Sequence, residues 1–123
     1  MEGTILEIPE TKYTPKVVIS EESILIKGSG MPENSREFFQ LFFNEEIKEK
    51  LRKLRKIIIT IELDHFSNSF SKELLDFFKF FVKEKLNAEV AWLYEEDDED
   101  MIEAGEDYQA ILFLPFKLVG YQK

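Results

Sequence analysis

Between residues 57 and 63 the apolar side chains fall on every second position: Ile57, Ile59, Ile61 and Leu63, with Thr60 and Glu62 between them. A period of two in β-branched residues predicts a strand that buries one face. The alternation gives way to Asp64-His65-Phe66-Ser67-Asn68-Ser69-Phe70-Ser71, a polar stretch that reads as a turn. Beyond it Leu74, Leu75, Phe78, Phe81, Val82 and Leu86 recur at helical spacing, which predicts a helix over 71–86. Phe77 and Phe80 fall beside or off that stripe, and Asn87 is a suitable stop.

The same patterns place the other elements. A short apolar alternation at 4–8 predicts an edge strand, and Pro9 and Pro15 limit pairing in the stretch that follows. Val17-Val18-Ile19 and Ile24-Leu25-Ile26, separated by Glu21-Glu22, predict a hairpin of strands at 16–20 and 23–27 that closes at Gly28-Ser29-Gly30. Asn34 with Glu37 three residues later forms a capping box for a helix that runs through Phe38, Phe39, Phe42, Phe43, Ile47, Leu51 and Leu54. Its stripe drifts round the axis, so a bend or restart is expected near Asn44. Residues 88–94 alternate around Trp92 as a strand. A short helix at 101–104 is expected to end near Gly105, with a last strand at 110–114 that 116–119 resumes after Pro115.

Strand–helix–strand order favours parallel central strands, and the hairpin adds an antiparallel edge. The expected fold class is therefore α/β: one domain over residues 1–123, with a mixed sheet.

Composition changes this picture mainly by exclusion. No cysteine is present, so disulfides, thiol chemistry and thiolate zinc sites are out. No apolar run reaches the roughly 18 residues of a membrane span, and no signal peptide opens the chain. The cytoplasm is the expected location, with no membrane partner. A net charge of -9 argues against nucleic acid, whose phosphates need a basic face. Twelve phenylalanines are many for 123 residues; most are expected in the core, and any that do not fit there are interface candidates.

Candidate chemistry concentrates at the strand–turn–helix. Ser67, Asn68, Ser69 and Ser71 stand where unpaired backbone N–H groups and the helix dipole favour an anion, phosphate included. The competing reading is a plain cap and turn. Asn34 and Ser35 are caps or partner contacts. Phe70, Phe77 and Phe80 belong in the core or, if exposed, in an apolar docking patch beside the turn. The segment 95–107 holds nine carboxylates. It reads as a solvated loop and helix start, with a basic partner's surface or a divalent-ion site as alternatives; EF-hand spacing is lacking. His65, the only histidine, neighbours Asp64. Adjacent strand residues point to opposite faces, and no Gly-x-Ser-x-Gly elbow is present, so no catalytic residue is assigned. Gly28-Ser29-Gly30 lacks the lysine and spacing of a phosphate-binding loop. No cofactor and no metal are implied.

Taken in order, several segments resemble a known family. They are Thr11-Lys12-Tyr13-Thr14-Pro15; Gly28 with Met31-Pro32-Glu33-Asn34-Ser35; the serine/asparagine turn leading into Ser71-Lys72; Trp92 with the acidic run from Tyr94 to Met101; Glu103 to Tyr108; and Pro115-Phe116. Together they resemble the SiaC family of bacterial regulatory phosphoproteins, over nearly the whole chain. The resemblance implies an α/β fold like the STAS domains of anti-sigma-factor antagonists. It implies a non-enzymatic partner switch, phosphorylated on a threonine by a serine/threonine kinase and restored by a phosphatase. The unmodified form binds and activates a diguanylate cyclase in cyclic-di-GMP signalling.

The family's turn typically reads Phe-Asn-Thr-Ser-Ser-Ser-Lys, with the threonine as acceptor. Here the same places read Phe66-Ser67-Asn68-Ser69-Phe70-Ser71-Lys72, so Asn68 stands at the acceptor position without a hydroxyl. Ser67 or Ser69 then takes over as acceptor, or the chain is a constitutive binder that has lost the switch, or Asn68 only caps the helix. The partner surface expected on this basis comprises Asn34, Ser35, Phe70, Ser71, Phe77 and Phe80.

Overall fold

The alternating run at 57–63 lies at the heart of a six-stranded sheet. The structure is a computed structural model and describes residues 3–122. Its strands are β1 (Thr4–Ile8), β2 (Lys16–Ser20), β3 (Ser23–Gly30), β4 (Ile57–Phe66), β5 (Ala88–Glu95) and β6 (Phe116–Tyr121). Its helices are α1 (Ser35–Gln40), α2 (Glu45–Arg52), α3 (Asn68–Lys83) and α4 (Glu99–Ile111). Strand order in space follows chain order, β1 to β6. The first three strands pair antiparallel, and β3 to β6 pair parallel. This is the mixed α/β sheet that the sequence predicts, with the hairpin at its antiparallel end.

Three parallel crossovers advance in one direction. Such crossovers are right-handed, which puts every helix on the same face of the sheet. Burial follows that geometry. Ile57, Ile59, Ile61 and Leu63 of β4 are buried under the helices, whereas Ile58, Thr60 and Glu62 on the other face are half-exposed. Ile24 and Ile26 of β3, with Val90 and Trp92 of β5, complete the buried floor.

Phenylalanine fills the space above it. Phe39 of α1 stacks 5.1 Å from Phe70 of α3, and Phe42 lies 6.1 Å from Phe77, centroid to centroid. A second cluster joins Phe78 to Tyr108 at 5.4 Å and Trp92 to Tyr108 at 5.5 Å. Edge-on and tilted pairs of this kind add to the area term. Of the phenylalanines only Phe113 stands fully outside, at 95% exposure.

The structure departs from the sequence reading in four places. β4 runs on through Asp64, His65 and Phe66, so the polar turn shrinks to a single residue. α3 starts at Asn68, not 71, because the Ser67 hydroxyl accepts the Phe70 N–H at 3.1 Å and caps the helix there. α4 continues straight through Gly105 to Ile111. The glycine is a packing device rather than a stop: a Cβ there would lie 2.6 Å from Trp92 Cδ1. Consequently 110–114 is not a strand, and the last strand begins at Phe116. The restart near Asn44 is found as expected, since Asn44 caps α2 by accepting the Ile47 N–H at 3.1 Å.

Gly105→Ala tests the α4 packing. The added methyl overfills the contact with Trp92, and overpacking of this kind costs about 1–3 kcal/mol. We expect a lower urea midpoint, followed by Trp92 fluorescence. An unchanged midpoint would show that α4 does not press on Trp92.

Candidate functional site

The β4–α3 junction is held from three sides. Ser67 N–H donates to the Gly30 carbonyl at 3.0 Å, tying the helix start to the end of β3. Gly30 permits that approach, because a Cβ there would sit 2.7 Å from Phe66 Cβ and 2.9 Å from Phe70 Cδ1. Just beyond Gly30 the chain turns into α1, whose cap Asn34 accepts the Glu37 N–H at 3.0 Å. The two helix starts therefore lie side by side. Ser35 Oγ and Ser69 Oγ share a hydrogen bond of 3.0 Å, and Ser69 Oγ and Ser67 Oγ share one of 3.1 Å.

The three hydroxyls differ in access: Ser35 is buried, Ser67 half-exposed and Ser69 exposed. Asn68 is exposed at the first position of α3 and presents a carboxamide. The fourth hydroxyl is committed elsewhere. Tyr108 OH donates to the Ser71 carbonyl at 2.9 Å, and Ser71 Oγ donates to Tyr108 OH at 2.7 Å, which clasps α4 to α3. Burial pushes the Tyr108 phenol above its ordinary value, and the Ser71 hydrogen bond opposes this in part.

The loop at 9–15 borders the same edge. Met31 N–H donates to the Tyr13 carbonyl at 2.8 Å, and the Tyr13 ring is 58% exposed. Sequence segments 11–15, 31–35 and 66–71, far apart in the chain, thus meet at the C-terminal end of the parallel strands. In open α/β sheets that end is where ligands and partners commonly bind.

Among the described residues the hydrogen bond between a histidine and a hydroxyl at this edge joins His65 to Ser29. His65 Nε2 meets Ser29 Oγ at 3.0 Å on the open face, because a bulge at Asp64 pairs Ser29 with His65 and turns Phe66 in towards Phe70 and Trp92. Asp64 is the exposed residue of the bulge, and burial first, then Glu62, Glu95 and Asp64, raise the Tyr121 phenol. The acidic run serves α4: Asp98 accepts the Met101 N–H at 3.1 Å, and Glu99 and Asp100 occupy the first turn, where the dipole favours carboxylates. Among the described residues no group of three or more His, Cys, Asp or Glu could hold a metal ion.

The candidate partner residues separate on inspection. Phe70 and Phe77 are fully buried and cannot present a ring, because the α3 stripe that faces β4 and α1 includes both. Ser35 is buried under Ser69, and Ser71 is half-buried in the Tyr108 clasp. Asn34 is exposed at the edge. Phe80 is half-buried, but at the far end of α3 from the turn. Sequence reasoning missed Tyr108 as the anchor of α3 and Phe113 as an exposed ring. Phe113 sits in an apolar run that imitates a strand, so only its position after α4 reveals it.

The fold is a small α/β domain with its sheet covered on one face and a hydroxyl cluster at a capped helix start. The description "SiaC family regulatory phosphoprotein" matches residues 8–121, and the chain belongs to that family. The fold is similar to a chain in the crystal structure of the diguanylate cyclase SiaD in complex with its activator SiaC from Pseudomonas aeruginosa. That match has a TM-score of 0.84 at 22% identity and covers 94% of this chain and 99% of that one. It is also similar to apo-SiaC from the same organism, with a TM-score of 0.81 at 22% identity, covering 97% of this chain and 99% of that one. Among curated proteins nothing matches this chain.

The Tyr108 clasp has a pH signature. Its phenol is raised in the folded state, so its contribution is fully present below the ordinary value of 10.0 and is lost as pH rises through the folded value. Tyr108→Phe should cost about 0.5–1.5 kcal/mol near neutrality. It should also flatten the fall in stability above pH 10, as measured by urea unfolding across pH. A slope as steep as in the parent protein would place the alkaline sensitivity elsewhere.

Proposed function

We propose that this chain is a non-enzymatic, cytoplasmic partner-switching regulator, acting as one SiaC-like domain. It binds a serine/threonine kinase, a diguanylate cyclase or both through the C-terminal edge of its parallel strands. SiaC of Pseudomonas aeruginosa is an activator of the diguanylate cyclase SiaD, and that role is carried here as a proposal. Phosphorylation at the strand–turn–helix controls binding, and a phosphatase restores the free form.

The observation that carries this reading is the exposed Ser69 hydroxyl at the α3 start, within a family of regulatory phosphoproteins. Ser69 is the more exposed of the two serines, with its oxygen shared between Ser35 and Ser67. Ser67 is half-exposed, and its oxygen is occupied as the cap. A phosphate adds about -1.5 to -2 charge. Near the α3 N-terminus that charge gains from the dipole and needs no refolding. It would break the Ser35–Ser69 hydrogen bond and place an anion on the docking edge, where an acidic partner surface is repelled.

One observation favours a second reading. Asn68 occupies the acceptor position, is exposed and carries no hydroxyl. A constitutive binder of the same fold would look like this.

Phosphosite mass spectrometry on protein from native cells, with phosphatases inhibited, separates the two. We expect phosphate on Ser69 or Ser67, and weaker cyclase binding by the modified form. Phosphate elsewhere would remove the switch from this turn. Absence of phosphate across growth conditions, with a cyclase still pulled down, would establish the constitutive reading. In the same assay Asn68→Thr should gain phosphate from the cognate kinase if the turn still fits its active site.

A further inference from the structure

A second surface lies on the helical layer, away from the serine edge. A groove of about 760 Å³ runs between α2, α3 and the end of α4. Phe43, Phe80 and Val82, all half-buried, line its apolar part. Ile111 and Phe113 form one wall, at 60% and 95% exposure. The flanking Leu112 and Leu114 are both buried, so the backbone is pinned and Phe113 is held outward. A large ring held in water beside a half-open apolar floor is the mark of a docking site.

Charge says what docks there. Arg36, Lys48, Arg52, Lys79 and Lys83 line the groove against Glu73, Asp76 and Glu84. Lys48 pairs with Glu45, and Arg52 with Glu49 and Glu84, which leaves Arg36, Lys79 and Lys83 against Glu73 and Asp76, a small cationic excess on a chain of net charge -9. Lys48 Nζ lies 4.7 Å from the Phe43 centroid, and Arg52 Cζ lies 5.4 Å from that of Phe80. Arg52 is further held by Glu84 at 3.0 Å. By contrast Arg36, Lys79 and Lys83 have no ion-pair partner among the described residues.

We propose that this groove docks an amphipathic helix of a partner protein, with an apolar stripe flanked by carboxylates. The stripe covers Phe43, Phe80 and Phe113, and the carboxylates meet the three unpaired cations. This is the helix-in-groove mode of recognition. A second copy of the chain fits less well. Two cationic grooves facing each other repel, and the acidic 95–107 segment in a neighbour's groove would be a head-to-tail contact that does not close. The site is independent of Ser67 and Ser69, so it stands whichever reading of the turn holds.

The test is a titration of the isotope-labelled chain, followed by amide NMR. The probe is a synthetic peptide of about 18 residues with Leu and Phe at i, i+3, i+4 and i+7 and glutamates beside them. A control peptide carries lysine at each glutamate. We expect shifts confined to the groove, an affinity at least about tenfold above the control, and weakening as salt is raised. Phe113→Ser and the double variant Lys79→Glu/Lys83→Glu should each lower the affinity about tenfold. Phe113 is exposed, so Phe113→Ser should leave the melting temperature in place, whereas the double variant puts carboxylates in the last turn of α3 and should lower it slightly. Equal binding of the control, shifts centred on the serine turn, or variants that bind as the parent does would each overturn the proposal. So would no binding of either peptide at millimolar concentration. Concentration-dependent self-association in sedimentation, abolished by Phe113→Ser, would replace the partner helix by a second copy.

Discussion

The passage from β4 to α3 constrains everything around it. One residue, Ser67, separates the strand from the helix. Phe66 below it touches the Trp92 cluster, and Phe70 above it is buried against Phe39. A slip of one residue in β4 would send Ile57, Ile59, Ile61 and Leu63 to the open face. The register is therefore fixed by burial on the strand side and by Phe70 on the helix side. With both fixed, the Ser67 hydroxyl has one place to go, and it caps. Gly30 must then be glycine, since Phe66 and Phe70 occupy the space of any side chain there. The start of α1 follows from Gly30, and the Ser35–Ser69 contact follows from α1. The hydroxyl cluster is thus a consequence of core packing, which gives it a rigid frame.

That chain of dependence explains what could be read from the sequence. The period-two run at 57–63 and the hairpin were legible because each is buried on one face only. The break at Asn44 was legible because a good cap sits where the stripe drifts. The end of the chain was not. Gly105 looks like a stop when read alone, and Ala110 to Leu114 alternates like a strand. Only the contact of Gly105 with Trp92, 13 positions earlier in the chain, shows why a glycine is needed inside a helix. The site divides the same way. Helix starts with Ser and Asn announce themselves through local rules, so Asn34 and the serines were found. The sharing of Ser69 between Ser67 and Ser35 is a contact across 34 residues, and no spacing rule encodes it. Phe70 and Phe77 looked ambiguous because α3 is covered over a wider arc than one stripe: α1 packs on the flank that would otherwise be open.

Two surfaces then share one helix. The N-terminal end of α3 carries the hydroxyls, and its C-terminal half carries Phe80, Lys79 and Lys83. Between them Phe70, Leu74, Phe77, Phe78 and Phe81 are fully buried. A modification at the turn acts on exposed atoms, and the interior of α3 offers it no second arrangement into which the helix could shift. Coupling between distant sites needs an element with two states. α3 is held by its core face and by the Tyr108 clasp. A partner that spans both surfaces would instead sum two independent contacts. Loss of the edge contact would then weaken binding through effective concentration while leaving the groove contact intact. Charge added at the turn would then act on the edge and leave the groove as it is. A partner bound through both would be loosened by phosphorylation, whereas one bound through the edge alone would be released.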